Sequence, residues 1–501
     1  MAIEDVDVVV VGAGISGIGA GYHLQKLCPG RSYVILEGRD DLGGTWDLFR
    51  YPGVRSDSDM HTLGYRFKPW TADKAIADGP SILAYLHETA REYGIDRHIR
   101  FGHHVNRADW STDDARWRVE AVRNDTGETV VITCNFLFMG SGYYSYKAGY
   151  TPEFPGRERF QGQIVHPQEW PADLDYAGKR VVVIGSGATA MTLVPAMAPT
   201  AGHITMLQRS PTYVVSRPDV DVLANRLRKV LPERTAYAIT RAKNIAFQQW
   251  IYHQTRTNPE RVKQRLLDMV RKELPGFDVE KHFTPTYDPW DQRLCLVPNS
   301  DLFEAIRSGK ASVVTDQIVT FTETGIELAS GETLDADIIV TATGLQLVTL
   351  GEMDFTVDGQ PVDFSKTWTY KGLAYSDVPN LVSSFGYINA SWTLRADLTS
   401  EYACRLLNHM DETGTAQCTP RLRAIDRSMP ERPWIDDFSS GYMQRDMWRF
   451  PRQGDHEPWI NPQDYRVDRK MFRKAPIEDG VMRFTGSAAR VRAGALDATA
   501  S

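Results

Sequence analysis

The chain has 501 residues, 42% of them hydrophobic and 24% charged, with 57 basic against 64 acidic side chains and a formal net charge of -7. That length leaves room for two or three domains, and the balance excludes a disordered, collagen-like or coiled-coil protein. So mild a charge gives no electrostatic reason for a nucleic-acid partner.

Five cysteines, Cys28, Cys134, Cys295, Cys404 and Cys418, form no CxxC pair and are odd in number. They predict neither a disulfide framework nor a structural zinc site, and they fit a reducing, cytoplasmic setting. The N-terminus lacks the basic region and small-residue cleavage site of a secretory signal. Its apolar run, Val6 to Val11, is too short for a transmembrane segment.

Residues Asp7 to Val11 read as a buried parallel strand. GAGISG follows, then a helical pattern from about Ile18 to Leu27. Gly12 suits the tight turn, Gly14 lets a pyrophosphate approach the backbone, and Gly17 allows close helix–strand packing. The free N–H groups of the helix start then face the phosphates, and Ser16 belongs to the same turn. The next strand, Tyr33 to Leu36, ends at Glu37, whose carboxylate can bind ribose hydroxyls and would repel a 2′-phosphate. This cradle is therefore read as binding FAD or NAD rather than NADP.

A second cradle opens on the strand Arg180 to Ile184. Its turn, GSGATA, places Gly185, Gly187 and Ala190 at the fingerprint positions, with Ser186, Ala188 and Thr189 between them. The strand His203 to Leu207 leads to Gln208, Arg209 and Ser210. A guanidinium at this ribose end matches a 2′-phosphate, so the second cradle is assigned to NADPH. One cradle of each charge implies a tightly held flavin and an exchanging nicotinamide. Disulfide reductases need a cysteine pair beside the flavin, which this chain lacks; that turns the reading towards oxygen.

The predicted fold is α/β, with two Rossmann-like dinucleotide-binding domains and a helical insertion. The FAD domain takes residues 1–149 and resumes at 346–501. The NADPH domain takes 150–345, interrupted at about 216–288 by Arg-, Lys-, Leu- and Ala-rich sequence at helical spacing. The charges there read as a solvated face, and the insertion as a cover for a substrate mouth. The final stretch, Ala488 to Ser501, reads as a disordered tail.

Three further motifs carry a family resemblance. FQGQIVHPQEWP, Phe160 to Pro171, resembles the FxGxxxHxxxW(P/D) fingerprint of type I (class B) Baeyer–Villiger flavoprotein monooxygenases. GGTWDLFRYPGVRSD, Gly43 to Asp57, and the ATG at Ala342 to Gly344 are also similar to that family. The stretches RYPGVRSDSDM, LQRSPTY and DPWDQRLCLVPN are most similar to its branch of mycobacterial thioamide-prodrug-activating enzymes.

The resemblance implies FAD and NADPH as cofactors and O2 as co-substrate. It implies oxygen insertion beside a ketone carbonyl, through a C4a-peroxyflavin, to give an ester or lactone. Arg293 would be the fixed positive charge, with Asp57 orienting it and binding the nicotinamide amide. Cofactor contacts would also come from Gly44, Thr45, Trp46, Arg55, Ser56, Val105, Gln292, Asn389 and Trp392. Gln292 stands where many members carry a lysine that helps to bind NADPH. His166 and Trp170 would be structural, with His166 between the domains, and Trp459 would pack near the nicotinamide. No metal is implied. Two alternatives stay open: oxygenation mainly of sulfides or other sulfur and nitrogen compounds, and a flavin-bound redox sensor.

Overall fold

The computed structural model describes residues 3–486; the tail expected from Ala488 to Ser501 lies outside them. Two sheets organise the chain. The first runs in spatial order 360–361, 354–357, 103–111, 116–123, 129–139, 4–11, 33–36, 99–100, with 381–383 also paired to 129–139. At its centre the valine strand Glu4–Val11 lies parallel to both neighbours, with Val9 opposite Val34 and Leu137. Both faces of that strand are covered over Val8 to Val11, which is why that stretch reads as unbroken valine rather than an alternation.

The second sheet has five parallel strands in the order 311–315, 203–208, 180–184, 338–341, 163–165. Its central strand, Arg180–Ile184, again carries valines that are almost wholly buried. Parallel neighbours need crossover connections, and helices supply those from 4–11 to 33–36 and from 180–184 to 203–208.

Six helices matter below. Helix α1 spans Ile15–Leu27 and α2 spans Ala188–Met197. Helices α3, Val222–Val230, and α4, Glu233–Thr257, begin the insertion, which two further helices, Pro259–Glu273 and Val279–Phe283, complete. Helix α5 is Trp392–Thr413 and α6 is Gly441–Asp446. The first helix starts three residues earlier than its apolar periodicity predicts, because its opening turn is the GAGISG loop itself.

The insertion is anchored as well as solvated. Arg241 of α4 is buried, and its guanidinium donates to the carbonyls of His61 and Gly64 at 2.8 and 2.7 Å. Asp397 of α5, also buried, lies 3.8 Å from the same group. A buried charge persists only when its donors are this fully used. All five cysteines are buried and free. Among the described residues no group of acidic, His and Cys side chains is placed to hold a metal ion, and no helix is long and apolar enough to cross a membrane.

Candidate functional site

The first cradle is built by close backbone approach. Gly12 sits at φ +97, and a Cβ on Gly17 would fall 1.8 Å from the Gly12 carbonyl oxygen, so no side chain fits there. The GGTW turn folds back on it: Gly43 N donates to the Ala13 carbonyl at 3.0 Å, and a Cβ on Gly14 would meet Gly44 Cα at 3.6 Å. Thr45 and Trp46 begin the short helix beyond.

Glu37 follows the strand Tyr33–Leu36 and is buried. One carboxylate oxygen accepts from Ala13 N at 2.7 Å and the other from Arg39 N at 2.9 Å. Burial nonetheless raises its pKa, because removing an anion from water outweighs two backbone donors. Each carboxylate oxygen has a further lone pair for ribose hydroxyls.

Ser16 ties this cradle to the second half of the chain. Its Oγ accepts from Trp392 Nε1 at 2.8 Å and lies 3.1 Å from Ser384 Oγ. Trp392 stacks on Tyr143 at 5.2 Å between ring centres. Asn389 donates to the Gln463 carbonyl at 3.0 Å. Val105 lies on the strand His103–Ser111 with its side chain in the core, so only its backbone is free to meet a cofactor.

The second cradle is more open. Gly185 has φ +134, and its missing Cβ makes room for the Ala342 carbonyl of the ATG turn, 2.3 Å away. At Gly187 a Cβ would meet nothing within 4 Å. Ala188, Thr189 and Ala190 form the first turn of α2, and Ser186 Oγ donates to the Ser210 carbonyl at 2.9 Å. The preceding strand runs one residue further than predicted, to Gln208. Arg209 and Ser210 are exposed at its end, and Arg209 has no ion pair or hydrogen bond among the described residues.

The RYPGVRSD segment joins the two cradles. Gly53 lies against α2, where a Cβ would stand 2.5 Å from Ala196 Cβ. Tyr51 lies against Thr189, and burial pushes its phenol up to about 12. Arg55 is paired with Asp301 at 2.5 Å. Ser56 is buried, its hydroxyl accepting from Ser58 N at 3.0 Å.

Asp57 then meets Arg293, with 3.4 Å between Oδ2 and Nη1. Arg293 is densely surrounded yet keeps 30% of its side-chain surface, as a residue on a cavity wall does. Desolvation opposes its charge, but Tyr442, Asp57, Tyr143 and Tyr144 together outweigh it and hold the guanidinium above its usual range. The Arg293 carbonyl accepts from Thr212 Oγ1 at 3.1 Å. Gln292 is partly buried on the loop before it.

Sequence reasoning missed the phenols around Arg293. Tyr143 and Tyr144 share a 2.5 Å contact between hydroxyls, and burial raises both. Tyr442 comes from α6, about 150 residues further along the chain than Arg293, and its buried hydroxyl makes no hydrogen bond among the described residues. Only the YY doublet at 143–144 was visible locally; nothing in the sequence around Tyr442 points to Arg293.

His166 lies between the two sheets, its Nε2 3.2 Å from the Gly344 carbonyl and its Nδ1 accepting from Gln168 N at 3.2 Å. Its ring fills the space a side chain on Gly149 would need, 1.8 Å from that Cβ position. Trp170 packs on the core of the second sheet. Trp459 corrects an expectation. It is fully buried against Tyr370, 6.1 Å between ring centres, in the core beneath the first sheet. An indole so enclosed has no surface to offer a nicotinamide.

Comparison with known proteins agrees with this arrangement. A family model described as flavin-binding monooxygenase-like matches residues 75–350, and an NAD(P)-binding Rossmann-like domain matches residues 10–72. The FAD-containing monooxygenase EthA of Mycobacterium tuberculosis (strain CDC 1551 / Oshkosh) is 54% identical over 483 residues, spanning 96% of this chain and 98% of that protein. The EthA of Mycolicibacterium smegmatis is 54% identical over 499 residues, spanning 98% and 99%. Among solved structures, an oxidized steroid monooxygenase bound to NADP superposes with a TM-score of 0.78 at 24% identity, over 96% of this chain and 100% of that one. With two dinucleotide cradles, the matched family model and relatives of this identity and coverage, the chain belongs to the family of flavin-binding, FAD-containing monooxygenases.

Proposed function

We propose that this enzyme uses NADPH and O2 to insert oxygen beside the carbonyl of a ketone, giving an ester or lactone. The observation that carries this reading is Arg293, a cation at a cavity wall 3.4 Å from the Asp57 carboxylate. An arginine stays charged beside a developing anion where a lysine or histidine can lose its proton.

The residues present fit both cofactors. The Gly14–Gly44 face and the Glu37 carboxylate would hold FAD, with the sheet of residues 4–139 and 354–383 as its domain. The open face of Gly187, with exposed Arg209 and Ser210, would hold NADPH on the sheet between 163 and 341. Bound there, the nicotinamide supplies hydride and the flavin activates oxygen. Around them, Arg293 holds positive charge where oxygen anion develops, and Asp57 fixes its direction. Tyr143 and Trp392 stack into a wall that keeps water away. His166, lowered by burial and so neutral near pH 7, packs the seam between the sheets and carries no proton in the chemistry. The buried free cysteines support a reducing, cytoplasmic setting.

A second reading, oxygenation of sulfur or nitrogen, is favoured by the phenols. Attack by such nucleophiles calls for a protonated oxygen donor, and Tyr442 brings to this site a buried hydroxyl that makes no hydrogen bond among the described residues. The test is purified enzyme with a panel of linear, cyclic and aryl ketones, NADPH and air. Esters are expected; sulfoxides from sulfides with no ester from any ketone would overturn the first reading in favour of the second.

A further inference from the structure

We propose that the outer face of α3 and α4 is a docking surface for an anionic lipid bilayer. Exposed large apolar side chains are scattered over most of this protein, but they gather here. Val222, Leu223 and Val230 stand out from α3, and Ile239, Phe247 and Trp250 from α4; Val222 is 55% and Trp250 50% exposed.

The placement follows helical spacing. Ile239, Ala242, Ala246 and Trp250 recur every three or four residues, so they form one stripe, and all four are exposed. The opposite face, with Ala236, Tyr237, Thr240 and Arg241, is buried. On α3 the exposed positions are Val222, Leu223, Arg226, Lys229 and Val230, apolar and basic with no acid among them.

Two contacts make the helices one patch. Lys243, on the stripe side of α4, pairs with Asp221 at 2.7 Å, immediately before Val222. The Arg217 guanidinium lies 4.7 Å from the Phe247 ring centre. Phe247 in turn stacks near Trp250, 6.1 Å between centres.

The charge selects the occupant. Arg226 and Lys229, exposed on α3 among Val222, Leu223 and Val230, have no ion-pair partner among the described residues. Apolar rings beside uncompensated basic groups, on helices lying flat against the protein, match the anionic interface of a bilayer. A protein partner of ordinary polarity would not need this excess of one sign.

The position also has a use. The inner side of α4 supplies Asn244 and Gln248, both donating to Asp59 at 2.9 Å, two residues from Asp57. The same helix therefore borders the catalytic cleft and faces the membrane. Docking is independent of which substrate is oxygenated, since it is measured by binding alone.

The experiment is flotation of the intact FAD-loaded protein with vesicles of phosphatidylglycerol and, separately, of phosphatidylcholine. We expect binding to phosphatidylglycerol that weakens with salt and little binding to phosphatidylcholine. Arg226→Glu with Lys229→Glu should lower partitioning by at least about fivefold per basic group lost. Phe247→Ser with Trp250→Ser should abolish it, while Trp448→Ser, at a still more exposed tryptophan elsewhere (69%), should leave it unchanged. Flavin absorbance and melting temperature check that each variant is folded. No flotation with phosphatidylglycerol, equal flotation with both lipids, or unchanged flotation of the folded Phe247/Trp250 variant would overturn the proposal. So would self-association that the Trp250 change abolishes without any lipid binding, which would make this face an interface between copies.

Discussion

Replacing Gly187 with alanine separates what the second cradle does for folding from what it does for binding. The position is extended, φ -81 and ψ -178, and a methyl group there meets no protein atom within 4 Å. Alanine restricts the unfolded chain, a gain of about 0.4–1 kcal/mol. It is a poorer N-cap than glycine, a loss of about 1 kcal/mol. The two nearly cancel, so the melting temperature should move by no more than a few degrees. The open side of Gly187 is where the dinucleotide backbone approaches. A methyl in that approach costs about 1–3 kcal/mol of overpacking, roughly a 5- to 150-fold loss of NADPH affinity. The readout is anaerobic flavin reduction in a stopped-flow instrument against NADPH concentration, beside a thermal melt. Gly17→Ala is the contrast. Its Cβ would lie 1.8 Å from a backbone oxygen that cannot turn aside, so α1 must retreat and both stability and flavin retention should fall. Unchanged NADPH affinity in Gly187→Ala, or a collapse of its stability like that of Gly17→Ala, would refute the reasoning.

Other outcomes follow from the same geometry. Arg209→Ala should weaken NADPH by about 10- to 150-fold, the worth of a charged hydrogen bond of about 1.5–3 kcal/mol, and leave NADH nearly unchanged; steady-state KM values for the two coenzymes check this. His166 is lowered below its ordinary value of 6.5 mainly by burial, so the unfolded chain binds its proton more readily than the folded one. Its contribution to stability is therefore complete above about pH 6.5 and is lost as pH falls through the lower folded value. Melting curves between neutral and mildly acid pH should show this loss, and His166→Gln should show less of it. Trp392→Phe removes the 2.8 Å donor to Ser16 and should loosen FAD by about 1 kcal/mol, read as flavin released on dilution.

Local sequence was enough wherever a backbone had to come close to something. Gly12, Gly17 and Gly185 announce turns that admit no side chain, and the contacts at 1.8–2.7 Å show why. Runs of valine announced strands buried on both faces. Charge at the two strand ends, Glu37 and Arg209, was legible for a related reason: each directly follows the strand that pairs beside its glycine turn. What was not legible depends on distant chain returning to the same place. Tyr442 reaches the Arg293 environment only because α6 packs against the ATG turn, where a Cβ on Gly344 would stand 3.7 Å from Tyr442 Cβ. The pairing of Arg55 with Asp301, far along the chain, is likewise invisible locally. Trp459 shows the converse, since a local resemblance suggested a cofactor contact but the surrounding apolar residues drew the indole into the core.

The most direct test of the proposed chemistry is Arg293→Ala, measured as ester formed per NADPH consumed. Flavin reduction by NADPH should persist, because the cradles are untouched. Ester yield should fall by about a hundredfold or more, as when a fixed stabiliser of developing negative charge is removed. Ester yield at the level of the unmodified enzyme would contradict the role assigned to Arg293.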